Sequence, residues 1–290
     1  MFVVSNTAES VKSYFIERLS KQFSEREIAF FFKESIKKRL KISDTEMILQ
    51  KEIRFSESDL LFFRSVVKRL QNNEPFQYII GETFFYELLI RCDERALIPR
   101  PETEELVDWI VHSVDKNQEL KLLDVCTGSG CIALALKSIL KSSAISATDI
   151  SLDAIALAKK NALLLGLEVT FLQDNALIDE SDLFENDSLN IIVSNPPYIP
   201  MKDKVAMEKN VLDFEPHLAL FVADESPLVF YKAIAEKAKR LLKTNGLLFF
   251  ELHENYAIET KTLVESFGFE EVEIKLDLQG KNRMLKAKKK

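Results

Sequence analysis

From residue 120 onward the chain repeats one pattern: a short apolar run, then a longer stretch whose apolar residues recur at helical spacing. The runs are Lys121–Val125, Ala144–Thr148, Val169–Gln173, Leu189–Ser194 and Leu247–Glu251. Between and after them lie Ile132–Leu140, Asp153–Leu165, Pro227–Leu242 and Tyr256–Phe267. Short apolar runs suit strands buried on both faces, and parallel strands need a crossover, commonly a helix, to join them. The alternation predicts a parallel, doubly wound α/β sheet. Glu271–Lys275 and Met284–Lys286, around Asp277-Leu278-Gln279-Gly280, read as a closing hairpin. The terminal Lys286-Ala287-Lys288-Lys289-Lys290 reads as a solvated tail.

The first 74 residues are different in kind, with neither glycine nor proline. Their periodicity predicts helices over Val11–Leu19, Glu25–Leu40, Ser43–Gln50 and Ser56–Gln71. Ser24 with Glu27, and Ser56 with Asp59, have capping-box spacing. Leu60, Phe63, Val67 and Leu70 form one apolar stripe, and the region reads as a small helical bundle. Asn72-Asn73-Glu74-Pro75 breaks the last helix. Beyond it, Tyr78-Ile79-Ile80, Phe84-Phe85-Tyr86 and Leu88-Leu89-Ile90 read as β structure. The expected division is a helical domain over 1–74, a linking hairpin over 75–97 and a catalytic domain over 98–290.

Composition excludes several classes. The net charge of −7 argues against a protein that grips long nucleic acid by bulk electrostatics. Residues 1–75 carry 14 Lys+Arg against 11 Asp+Glu, net +3, which leaves −10 for the remainder. The basic cluster Lys33, Lys37, Lys38, Arg39 and Lys41 is either a wet face or a docking surface for an acidic partner. No apolar run is long enough to cross a bilayer, and the start lacks the pattern of a signal peptide. Three cysteines without metal-ligand spacing point to a reducing cytoplasm, and three scattered histidines suggest no zinc site.

The chemistry concentrates at the carboxyl ends of the runs, where open α/β sheets bind ligands. Lys121–Val125 leads into Cys126-Thr127-Gly128-Ser129-Gly130, which holds two of only seven glycines. Glycine lets backbone N–H groups approach a ligand, and the following helix start favours an anion. Asp149, nineteen residues beyond Gly130, can accept both hydroxyls of a ribose. Loop and acid together indicate a nucleoside-containing cofactor. Leu189–Ser194 then runs into Asn195-Pro196-Pro197-Tyr198. The prolines stiffen that loop and remove competing N–H donors, while Asn195 and Tyr198 flank a rigid pair of carbonyls. Such a site suits a flat group bearing –NH2, and with the other two features it points to S-adenosylmethionine.

At these residues the chain resembles the release-factor glutamine methyltransferases (the PrmC/HemK family) over about residues 76–285. The motifs that carry the likeness are Ile98-Pro99-Arg100-Pro101-Glu102-Thr103-Glu104, Asp124-Val125-Cys126-Thr127-Gly128-Ser129-Gly130, Ala147-Thr148-Asp149-Ile150-Ser151, Asn195-Pro196-Pro197-Tyr198-Ile199, Glu215-Pro216-His217-Leu218-Ala219-Leu220 and Gln279-Gly280-Lys281-Asn282-Arg283. The resemblance implies a seven-stranded Rossmann-like S-adenosylmethionine methyltransferase sheet behind a small N-terminal helical bundle that recognises substrate. It implies methylation of the glutamine side-chain amide in the Gly-Gly-Gln motif of class 1 peptide chain release factors. A monomer acting without direct nucleic-acid or membrane contact is expected. Cofactor contacts fall on Cys126, Thr127, Gly128, Ser129, Gly130, Asp149, Asn175, Ala176 and Asn195. Asn195 and Pro196 carry catalysis, with Pro197, Tyr198, Arg100 and Glu104 also facing substrate. For Arg100 and Glu104 the other reading is an ordinary ion pair. The chain departs from the family at Cys126, where glycine is usual, and at Ala176, where a larger apolar residue is usual.

Two rivals accompany this reading. A DNA or RNA base amino-group methyltransferase would also need a clamp for a planar –NH2, but the acidity and the Glu-Pro-His-Leu-Ala-Leu stretch oppose it. A non-catalytic nucleotide-binding scaffold would have no need of an intact Asn-Pro-Pro-Tyr.

Overall fold

Two units account for the chain in the computed structural model: Met1–Gly81 with Glu208–Phe214, and Glu82–Met207 with Glu215–Lys290. The structure describes residues 3–49, 53–178 and 183–290. The first unit contains α1 (Ala8–Leu19), α2 (Glu25–Leu40), α3 (Asp44–Leu49), α4 (Glu57–Gln71) and α5 (Phe76–Ile80). Both expected capping boxes form: each serine side chain takes the backbone N–H three residues on, and the acid returns to the serine N–H. Ser43 and Glu46 repeat that exchange at α3. The expected end of α3 at Gln50 lies outside the described residues. The helices pack on buried Phe15, Phe32, Phe63 and Val67. Phe15 meets Phe32 and Phe63 edge to face, at 5.6 and 6.3 Å. Truncating such a ring to alanine costs about 3–5 kcal/mol.

One expected β run is helical. Tyr78-Ile79-Ile80 lies in α5, after Pro75 and before Gly81, which takes φ 77° as the left-handed C-cap. Proline pre-sets the first turn and glycine ends it. The Arg69 guanidinium then donates to the Tyr78 and Ile79 carbonyls. Five residues between those stops leave room for a single turn, whatever their β propensity.

The second unit opens with the hairpin β1 (Glu82–Phe85) and β2 (Leu88–Arg91), antiparallel across Tyr86-Glu87. There follow α6 (Pro101–His112), β3 (Lys121–Val125), α7 (Cys131–Ile139), β4 (Ala144–Asp149), α8 (Leu152–Leu165), β5 (Thr170–Gln173) and β6 (Leu189–Ser194). The excursion β7 (Ile199–Pro200), α9 (Lys209–Phe214, grouped with the first unit) and β8 (Phe221–Val222) comes next. The chain ends through α10 (Val229–Leu241), β9 (Leu242–Glu251), α11 (Ala257–Ser266), β10 (Phe269–Leu276) and β11 (Asn282–Lys289).

Seven strands form one sheet in the order β10-β11-β9-β6-β3-β4-β5. β3, β4, β5, β6 and β9 run parallel, while β11 is antiparallel to both β9 and β10. From β3 the chain winds outward through β4 and β5, then returns to place β6 on the other side of β3. That switch point opens a crevice beyond the carboxyl ends of β3 and β6. The sheet is mixed because the closing hairpin inserts β11, leaving β10 at the edge.

Among the element bounds that differ from expectation, two change how the sheet is built. Leu242 starts β9 instead of ending α10, because Leu189 pairs with it across an irregularity before Ile191 meets Leu247. The terminal lysines are not a solvated tail. Met284, Leu285 and Ala287 are buried, and the alternation carries Lys286–Lys289 along β11. Lys286 Nζ sits 5.4 Å from the Trp109 ring, and Lys289 Nζ donates to Asp187 and to the Leu242 carbonyl. Among the described residues, no helix is long and apolar enough to cross a membrane.

Candidate active site

β3 runs into the turn Cys126–Gly130, and α7 starts directly behind it. Cys126, Gly128 and Gly130 all have positive φ, at 63°, 56° and 83°. The usual glycine at the first position therefore has a backbone reason, and this chain meets it with a strained cysteine. At Gly130 a Cβ would stand 3.1 Å from Ala158 and 3.3 Å from Phe171, so glycine is required twice over. Burial pushes the Cys126 thiol well up, and the charges of Asp149 and Asp124 push it further.

Two carboxylates hold this turn. Asp149, at the end of β4, accepts from Gly128 N with one oxygen and from Ser151 N with the other, both at 2.9 Å. Burial raises its pKa against the pull of those N–H groups. Asp124, fully inside the sheet, accepts from Thr127 Oγ1 at 2.6 Å and from Ala133 N at 3.3 Å through one oxygen. Its other oxygen has no partner among the described residues. Burial, with the Asp149 charge added, pushes Asp124 up to about 7.

The turn and Asp149 form one wall of a cavity of about 210 Å³. Asp174–Leu177 forms another, held by the buried ion pair of Asp174 with Lys237 at 2.7 Å. Here Asn175 Oδ1 accepts from Leu177 N, and Ala176 is buried. At the rim, Glu215 accepts from Ile98 N at 3.1 Å and pairs with Arg100. Arg100 lines the cavity but its carboxylate partner is Glu215. Glu104 lies off the wall and accepts from Tyr86 N at the β1–β2 turn.

Asn195 and Pro197 complete the cavity, while Gly130, Pro196 and Tyr198 lie just outside its lining. Ser194 Oγ anchors the loop to the Val125 carbonyl at 2.6 Å. Asn195 Nδ2 donates to Thr103 Oγ1 at 3.3 Å, and Thr103 Oγ1 donates to Glu251 Oε2 at 2.5 Å. The Tyr198 hydroxyl donates to Glu251 Oε1 at 3.0 Å, with its ring edge-on to His253. Glu251, at the end of β9, is buried; burial raises its pKa and the two hydroxyl donors oppose the rise.

The structure thus gathers the expected cofactor residues other than Gly130 around one cavity, Asn195 among them, together with Arg100. It also recruits Thr103, Asp124, Glu215 and Glu251, which the sequence presents only as members of motifs or strands. Glu251 had one available signal: like Asp149, it is an acid closing an apolar run. Among the described residues, no group of three or more His, Cys, Asp or Glu is placed to hold a metal ion.

Comparison with known proteins gives concordant matches. Residues 106–213 match the methyltransferase small domain, and residues 14–81 match the PrmC N-terminal domain. A release factor glutamine methyltransferase of Flavobacterium psychrophilum is 40% identical over 282 residues, covering 96% of this chain and 98% of that protein. One from Bacteroides thetaiotaomicron is 41% identical over 248 residues, covering 86% and 88%. A methyltransferase structure from Pyrococcus furiosus shares the fold, with a TM-score of 0.53 at 17% identity over 77% of this chain and 98% of that one.

Proposed function

The chain belongs to the release factor glutamine methyltransferases, and on that premise we propose that it methylates the side-chain amide nitrogen of a glutamine, the one in the Gly-Gly-Gln motif of class 1 peptide chain release factors. The observation that carries this reading is the Asn195 side chain. It lines the cavity, its Nδ2 is engaged by Thr103, and its Oδ1 has no protein partner among the described residues.

The cavity suits S-adenosylmethionine. Its wall holds Asp149, with Asp124 beneath, and its two arginines are already matched: Arg95 with Asp93, Arg100 with Glu215. An acidic pocket with no spare cation among the described residues disfavours a pyrophosphate and favours a nucleoside that carries positive charge. When bound, S-adenosylmethionine supplies an electrophilic methyl group on a positively charged sulfur. Asp149 would hold the ribose hydroxyls, the Cys126–Gly130 turn the amino-acid end, and Asn175 and Ala176 the base.

The residues of this chain then do the following. An amide nitrogen is a poor nucleophile because its lone pair is delocalised, so it must be aimed. Asn195 Oδ1 and the Pro196 carbonyl each accept one hydrogen of the substrate –NH2, which fixes the nitrogen in one orientation. The same two dipoles face the positive charge that develops on that nitrogen as it reacts. The proton leaves to water afterwards, and no side chain acts as general base. Arg100 and Glu215 shape the rim. We place the enzyme in the cytoplasm as a monomer; its free cysteines and its relatives' action on release factors support that setting.

The test is incubation with labelled S-adenosylmethionine and, in parallel, a purified class 1 release factor, DNA and RNA. Label on the Gly-Gly-Gln glutamine is expected. Label on a nucleic-acid base, or on none of the three, would overturn the reading.

A further inference from the structure

An asparagine can serve as an acceptor for an –NH2 group only if its own –NH2 points elsewhere. The two ends of the amide are nearly isosteric, so Asn195 alone does not choose between them. Flipped, it would present donors to the donors of the substrate. Something must set its polarity.

We propose that Glu251 is a positioning residue for the reaction: its buried carboxylate, acting through Thr103, holds the Asn195 side chain with Oδ1 toward the substrate amide. The inference rests on reading the site as a glutamine clamp. An ionised carboxylate only accepts hydrogen bonds. Thr103 has a single hydroxyl hydrogen, and at 2.5 Å from Glu251 Oε2 it is spent there. Only lone pairs remain on Thr103 Oγ1 for the contact 3.3 Å away, so the Asn195 atom making that contact must be Nδ2. Its oxygen is thereby turned to the cavity.

Three further features fit. Thr103 and Glu251 are buried, which limits competition from water at the bond between them. The second oxygen of Glu251 takes the Tyr198 hydroxyl, so one carboxylate restrains both ends of the Asn195–Tyr198 loop. The C-terminal corner supplies a cation that, with the two hydroxyl donors, opposes the rise in the Glu251 pKa that burial causes. Arg283, held by Asp277 at 3.2 Å and by the Leu252 carbonyl at 3.2 Å, favours the charged form of Glu251 from its position in β11. That gives the Gln279-Gly280-Lys281-Asn282-Arg283 corner a part in the chemistry, although no residue of it lines the cavity.

The experiment is single-turnover methyl transfer to release factor at saturating cofactor, measured with cofactor affinity and thermal midpoint. The variants are Thr103→Val, Thr103→Ser, Glu251→Gln and the Thr103→Val/Glu251→Gln double. Thr103→Val should lose roughly ten- to a hundredfold in rate. Its cofactor affinity should stay within about twofold of wild type. Thr103→Ser, which keeps the hydroxyl, should recover to within about threefold of wild type. Glu251→Gln replaces one acceptor oxygen by a donor –NH2, so one of the two hydroxyls must reverse, and it should slow the reaction as well. Because Glu251 acts through Thr103, the double variant should be no slower than the slower single, to within about twofold. A wild-type rate in Thr103→Val, a Thr103→Ser as slow as Thr103→Val, or losses that multiply would each overturn the relay. Should Thr103→Val not fold, Thr103→Ala against Thr103→Ser gives the same decision. A wild-type enzyme that leaves glutamine unmodified would refute the proposed function instead, and the two failures are distinct.

Discussion

Two loops anchored by acids meet at the candidate active site, and they are anchored in opposite ways. The Cys126–Gly130 turn is held from nearby in sequence. Thr127 reaches Asp124 three positions back, and Asp149 gathers Ser151 N two positions on and Gly128 N across 21. The Asn195–Tyr198 loop is held from afar: Asn195 by Thr103 across 92 positions, Thr103 by Glu251 across 148, and Tyr198 by Glu251 across 53. In the first loop Asp149 receives only backbone N–H groups, so the acid shapes a main-chain cradle. In the second both bonds to Glu251 come from side-chain hydroxyls, so the acid sets the direction of one amide. A cradle holds a ligand, whereas an aimed amide selects the atom that reacts. Changes to the first should therefore appear in affinity and changes to the second in rate.

The largest effect belongs to the aimed amide. Asn195→Ala should cost about 2.7–4 kcal/mol of transition-state stabilisation, a hundredfold or more in single-turnover rate, the scale of losing one preorganised contact. Cofactor affinity, read by calorimetric titration, should change far less. A tenfold weaker affinity with an unchanged rate would merge the two loops into one binding site.

Next comes the cost of burying Asp124. Its folded pKa, about 7, lies above the unfolded value of 3.8, so the folded state holds the proton more tightly. Stability from this group is complete below the unfolded value and is lost as pH rises to about 7. The denaturation midpoint of the free enzyme should fall across that window, and Asp124→Asn should flatten the fall. At about 1.4 kcal/mol per pKa unit, the full shift amounts to at most about 4 kcal/mol. Parallel pH profiles for the two proteins would remove Asp124 from that account.

Asp149→Ala should weaken cofactor binding by about 1.5–3 kcal/mol, the scale of hydrogen bonds to a charged group. Unchanged affinity in a folded variant would take Asp149 out of the cradle. The smallest effect is expected at Cys126. Its left-handed backbone costs about 1–2 kcal/mol, and glycine in exchange loses about 0.5–1 kcal/mol in chain entropy. Cys126→Gly should raise the denaturation midpoint by the equivalent of about 0.5–1 kcal/mol. A lower midpoint would mean that packing of the thiol outweighs the strain.

The same contrast explains what could be read from the chain. Periodicity gave the bundle and the alternation of strands and helices, and local spacing gave the capping boxes, because each depends on neighbours a few residues apart; the seven-stranded sheet came with the family resemblance. The Cys126–Gly130 turn and Asp149 were legible for that reason. Glu251 was not: nothing within 50 residues of it names Thr103 or Tyr198 as a partner. Arg100 and Glu104 share one short motif, yet Arg100 turns to Glu215 and Glu104 to Tyr86 N, a choice made by the tertiary fold. The Tyr78–Ile80 run failed on propensity, since two stops outweighed three β-favouring side chains. The terminal lysines failed on charge, since an alternating buried face made a strand of them.

The central claim is that binding and aiming reside in separate loops. The most direct measurement compares Asn195→Ala and Asp149→Ala in single-turnover methylation of release factor as cofactor is raised to saturation. The account predicts that the Asp149→Ala rate climbs to within about fivefold of wild type once cofactor saturates, while Asn195→Ala stays about a hundredfold slow at every concentration. If both variants recover at high cofactor, or neither does, the separation is wrong.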